Sequence, residues 1–135
     1  MSTNQTFQRT GVYKDFDMNF TRNPLTNDLA VKKDVNSISQ SLKNLVNTNF
    51  YERPFHPEIG CNVRGLLFQP ADAITMVDLR SAIRETIRNH EPRVKVEQIL
   101  IEDNSDKNQY HVRLTYTTQM NVVPTEFAFI LERLR

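Results

Sequence analysis

With 135 residues, 39% of them apolar and 24% charged, the chain has material for one hydrophobic core and not for two independent ones. Seventeen basic against sixteen acidic residues leave a formal charge of +1, dispersed without long runs of one sign, so there is no footprint for a phosphate backbone and no nucleic-acid partner is expected. No stretch approaches the roughly 18 apolar residues of a membrane span, and the polar opening Met1 to Arg9 holds no apolar leader core, so no membrane partner is expected and an aqueous compartment is.

Residues 1–33 are rich in Asn, Thr, Asp and Phe, with Val12, Tyr13, Phe16, Met18 and Phe20 at no clean period; they read as an extended N-terminal arm that orders by packing on its own domain or on a neighbour. A short extended piece is expected at Asp28 to Val31. Asp34 is placed to cap a helix ending near Asn49, in which Val35, Ile38, Leu42, Leu45 and Val46 draw an apolar stripe opposite Ser37, Ser41, Lys43 and Asn44. The run RPFHPEIG at 53–60 cannot be helical with two prolines in it and reads as a shaped loop. Phe55 and Ile59 would pin that loop to the core, and Gly60 would allow a sharp turn. Val63, Leu66, Leu67 and Phe68 then predict a short helix stopped by Pro70.

Asp72 or Thr75 can cap the next helix, which runs to about Asn89 with Met76, Leu79, Ala82, Ile83 and Ile87 on one stripe and ends at Pro92. His90, just before the stop, is placed to cap the last carbonyls. From Val94 the period shifts toward two, with a bulge near Glu97 and Gln98, and Asn104 to Asn108 reads as a turn. Tyr110, Val112, Leu114 and Tyr116 alternate with polar residues as a half-buried strand, and a third strand over 126–134 sets Phe127, Phe129 and Leu131 on one face. The order predicts an α+β fold with two main helices and a short helix on a three-stranded antiparallel sheet, residues 34–135, preceded by the arm.

Sites of chemistry are sparse. There is no phosphate-cradling glycine motif, and the chain has three glycines in all. His56, His90 and His111 lie in separate elements without ligand spacing, and the lone Cys61 reads as a structural, half-buried thiol in a reducing compartment. No metal, cofactor or small-molecule substrate is therefore expected. Glycoside hydrolysis would need a carboxylate pair with one raised acid; Glu58, Glu85 and Glu91 qualify by type, and nothing in their spacing singles out a pair. Glu91, Pro92 and Arg93 hold two opposite charges on a rigid corner. Arg93 could grip a partner carboxylate with Glu91 orienting it or taking a partner cation, or the two could form an internal ion pair that caps the helix and turns the chain.

Taken together, RPFHPEIGCNVRGLLF at 53–68 and RNHEPRV at 88–94 resemble the family of contractile-tail phage baseplate wedge proteins and sheath initiators, which has a relative in the type VI secretion baseplate. The matching positions are Arg53, Pro54, Phe55, Pro57, Ile59 and Gly60, then Leu67 and Phe68, then Glu91, Pro92 and Arg93, and the likeness covers about residues 34–134. The arm carries no motif that matches. The resemblance implies a virion protein, assembled in the host cytoplasm, whose Glu-Pro-Arg corner docks on the wedge core and whose terminal β-structure templates the first ring of tail sheath. It implies partners among the other wedge proteins and the sheath protein, and partner contacts at the Pro-rich loop, the corner and Phe127, Phe129 and Leu131. The family has also carried the label of a tail lysozyme; a label supplies no site, and a non-enzyme is expected.

Overall fold

The computed structural model describes residues 13–119 and 122–133. The fold divides at Gln40/Ser41 into two compact units. In the first, strands β1 (Lys14–Phe16) and β2 (Val31–Lys33) pair antiparallel, Lys14 opposite Lys33 and Phe16 opposite Val31. Between them the chain folds back on itself with a bridge from Arg22 to Leu29. Asp17 organises this turn: its carboxylate accepts from Thr21 Oγ1 at 2.6 Å and lies 3.3 Å from Lys32 Nζ. Where the sequence shows no period, hydrogen bonds to a carboxylate therefore shape the chain, and strand β2 begins where the expected extended piece at Asp28 to Val31 ends.

Helix α1 (Val35–Asn47) follows at once. Asp34 does cap it with its backbone, since its carbonyl accepts from Ile38 N at 3.0 Å. The expected carboxylate cap takes another form, however: Asp34 has a left-handed φ of 50° and its carboxylate accepts from Tyr13 N.

In the second unit, helix α2 (Val63–Leu67) and helix α3 (Ala73–His90) pack together, and α3 lies against the sheet. Asp72 is the residue that caps α3, accepting from Thr75 N at 2.8 Å, while the buried Thr75 hydroxyl donates to Pro70 O. The sheet is a meander of β3 (Val94–Asn104), β4 (Gln109–Thr118) and β5 (Thr125–Glu132), joined first by a 3-10 turn over Ser105–Lys107. β3 shifts register between Val96 and Gln98, a bulge at the place where the alternation breaks in the sequence.

Strict alternation puts Tyr110, Val112, Leu114 and Tyr116 of β4 wholly inside, opposite Leu131, Phe129, Phe127 and Thr125 of β5. Leu79, Ile83 and Ile87 of α3 are fully buried as well, one face of a helix meeting one face of a sheet. Cys61 is also fully buried, deeper than the half-buried position expected, and burial pushes its thiol above the ordinary value.

Candidate partner-binding site

The corner between α3 and β3 is built by its own sequence. Pro92 disfavours helical geometry at the residue before it, so Glu91, at φ −129° and ψ 73°, leaves the helix while its N–H still donates to Ile87 O at 2.8 Å. Val94 N then donates to Glu91 O, closing the turn. The Glu91 side chain points inward and the residue is only 4% exposed. Arg93 grips it with two bonds, Nε to Oε1 and Nη2 to Oε2 at 2.6 Å, and Ser41 Oγ donates to Oε2 at 2.7 Å. Burial pushes the Glu91 carboxyl up, but Arg93 and Ser41 outweigh it and leave it below the ordinary carboxylate value.

Of the two readings of this corner, the internal ion pair is therefore the one formed. Glu91 is committed to its own chain and is the piece that orients Arg93, whose side chain is 30% exposed. Pro92 is exposed beside it. Ser41 was legible only as a polar residue off the apolar stripe; no sequence signal tied it to Glu91, fifty positions away.

The Pro-rich loop has an anchored base and a free tip. At the base, Cys61 N donates to Thr48 O at 2.8 Å and Thr86 Oγ1 to Gly60 O at 3.3 Å. Gly60 serves by close approach and not by a left-handed turn, because a Cβ there would lie 2.5 Å from the Asn49 carbonyl carbon and 2.6 Å from Phe50 N. Tyr51 N donates to Pro57 O, and Asn49 N to Glu52 Oε2, drawing the loop closed. Contrary to the expectation that it pins the loop, Phe55 is 96% exposed. Both Phe55 and Tyr51 have left-handed backbones, φ 68° and 65°, a conformation costing about 1 kcal/mol or more outside glycine. Arg53, Pro54 and Pro57 are exposed with them, and only Ile59 is partly covered.

The third group sits on β5. Phe129 and Leu131 are buried and Phe127 half-buried, so these side chains serve this chain's own core; among the described residues only β4 pairs with β5, and its outer backbone edge takes no strand from them. The corner, the loop tip and the β5 edge are three separate features of the second unit, and neither Arg93 nor Phe55 lines the cleft beside β5.

The carboxylates named for hydrolysis are partly brought together. Glu58 and Glu85 line one cleft of about 380 Å3 with His90 and Asn62, and Glu91 does not line it. Glu58 is held below the ordinary value by its own backbone amide and by His56, whose Nδ1 is 3.2 Å from Oε1. That is the wrong direction for a general acid. Among the described residues no group of His, Cys, Asp and Glu could hold a metal ion, and no helix is long and apolar enough to cross a membrane.

Against this geometry, a profile of the family described as baseplate wedge protein gp25 matches residues 32–122. The chain belongs to the baseplate wedge protein gp25 family. It is 33% identical over 67 residues to baseplate wedge protein gp25 of Enterobacteria phage T4, a match covering 50% of this chain and 51% of that protein. The chain thus spans about half the length of that curated relative. Three solved structures share the fold. A Geobacter sulfurreducens protein provisionally assigned as a tail lysozyme superposes with a TM-score of 0.70 at 15% identity, covering 74% of this chain and 91% of the other. A chain of the anti-feeding prophage baseplate gives 0.63 at 17% identity over 91% and 87%, and one of the postcontracted pyocin R2 baseplate gives 0.59 at 14% over 73% and 97%.

Proposed function

We propose that the chain is a non-enzymatic structural subunit of a contractile-tail baseplate wedge, carried in the virion and assembled in the host cytoplasm, which docks on the wedge core and templates the first ring of tail sheath. The observation that carries this reading is the outer edge of β5, unpaired among the described residues, in a member of the wedge family. An unpaired edge supplies backbone hydrogen bonds to a strand from another chain without needing its own side chains. Its partners are the other wedge proteins and the sheath subunit.

The two remaining features fit a docking role on the wedge core. Arg93, held in one orientation by the buried Glu91, presents a preorganised cation beside an exposed proline. Phe55 and Tyr51 hold aromatic rings in solvent on strained backbone, an arrangement that contributes nothing to this chain's core and suits insertion into a partner.

Co-sedimentation of the purified chain with the wedge proteins of its own particle tests the docking half. Wild type should sediment with them and Phe55→Ala should lose most of that binding while remaining folded; equal binding by Phe55→Ala removes the loop from the interface. Hydrolysis of purified murein by wild type, abolished by Glu58→Gln, would replace the structural reading with an enzymatic one.

A further inference from the structure

A cleft opens beside β5 on the side away from β4. Val63 and Leu67 of α2, the end of α1 and Leu131 of β5 form its walls, Arg64 and Glu132 stand on it as well, and no residue of β3 or β4 takes part. It therefore lies at the sheet edge that no described strand pairs with. Its volume of about 210 Å3 exceeds the roughly 150 Å3 of an apolar cavity that accepts a benzene, so one leucine, methionine or phenylalanine side chain fits.

A strand added to an edge lies about 4.8 Å away and continues the pleat, so every second side chain falls on the side where Phe129 and Leu131 of β5 point. One of those side chains, level with Leu131, would enter the cleft. The Arg64 guanidinium on its rim makes no hydrogen bond or ion pair among the described residues, which leaves it ready for a carboxylate. The opposite edge differs: β3 carries the bulge at Val96/Gln98 and the Lys95 and Glu97 charges, features that discourage an added strand. β5 keeps unbroken register with β4 over its length and has neither proline nor lysine.

We infer that this cleft is a socket for one large apolar side chain of a strand that pairs with β5, and that Arg64 recognises an aspartate or glutamate flanking that side chain in the incoming strand. The inference rests on the reading that a sheath strand adds to β5, and adds to it the residue pattern that strand must carry.

The test measures binding of the full chain to the purified sheath subunit of its own particle by biolayer interferometry, with folding of each variant checked by circular dichroism. Asn47→Trp, an exposed residue at the cleft, should cover the socket and weaken binding about 10- to 100-fold, the value of burying one large apolar side chain. Arg64→Glu, also exposed, should weaken it at least about fivefold. Lys95→Glu on β3 should bind within about twofold of wild type, since no contact is lost there. If wild type binds and both cleft variants bind equally well, the socket is overturned while the sheath reading stands. Equal losses in Lys95→Glu also overturn it, and a wild type that binds no sheath subunit overturns both.

Discussion

Replacing Arg93 by alanine removes both side-chain bonds to Glu91 and leaves a carboxylate that is 4% exposed with Ser41 Oγ and the backbone N–H of residue 93 as its remaining partners. Breaking a fully buried ion pair from one side costs about 3–5 kcal/mol. Here the Arg93 side chain is 30% exposed, so water can reach the vacated place and the expected loss is about 2 kcal/mol. For a chain of this size that lowers Tm by about 6–10 °C, within the margin of an ordinary domain, so the variant stays folded at room temperature. A cycle of Arg93→Ala, Glu91→Gln and the double variant, followed by urea denaturation, should give a coupling near 1.5 kcal/mol. The pH dependence has a fixed sign. The Glu91 carboxyl is held below its ordinary value of 4.5 in the folded chain, so its contribution is complete above that pH and is lost as pH falls through the depressed folded value. Glu91→Gln should flatten that part of the acid limb. A coupling below about 0.5 kcal/mol, or an acid limb unchanged by Glu91→Gln, would refute the assignment of the corner as an internally braced arginine.

Phe55→Gly should leave Tm unchanged or raise it by a few degrees, because the ring is 96% exposed and the φ of 68° suits glycine; a marked fall in a melting curve would mean that the ring packs. Gly60→Ala should cost about 2–3 kcal/mol, since the new methyl meets backbone atoms of Asn49 and Phe50 and not a flexible side chain; thermal denaturation reads it. Cys61, buried with its thiol pushed up, should react with Ellman's reagent at native pH only as fast as the chain unfolds. Asn108, left-handed at φ 56°, donates through Nδ2 to Arg133 O and accepts from Arg133 N. Asn108→Ala should therefore speed hydrogen exchange at Arg133, with β4 amides unchanged.

Much of the meander was legible because its period is two and its strands are half-buried: Tyr110 to Tyr116 alternate without error, and the bulge in β3 sits where the alternation fails. The stripe of α3 was equally plain, and local spacing narrowed its cap to Asp72 or Thr75, of which Asp72 is the one formed. Loop geometry was not. An aromatic residue between prolines reads as a core anchor, yet Phe55 faces solvent because turns closed by Tyr51 N on Pro57 O, His56 N on Arg53 O and Ile59 N on His56 O fix where it points. Pattern also could not show that Phe127, Phe129 and Leu131 serve the core while no described strand pairs with the outer backbone beside them, because periodicity separates two faces and says nothing of edges. The corner needed a partner from another element: Glu91 and Arg93 were both visible, and the hydroxyl of Ser41 that completes their network comes from α1.

The most direct test of sheath templating is electron microscopy of tails assembled with and without this chain, all other tail proteins being present. Baseplates lacking the chain should carry bare tubes, with sheath restored when the purified chain is added back. Tails of normal length bearing full sheath in its absence would contradict the account.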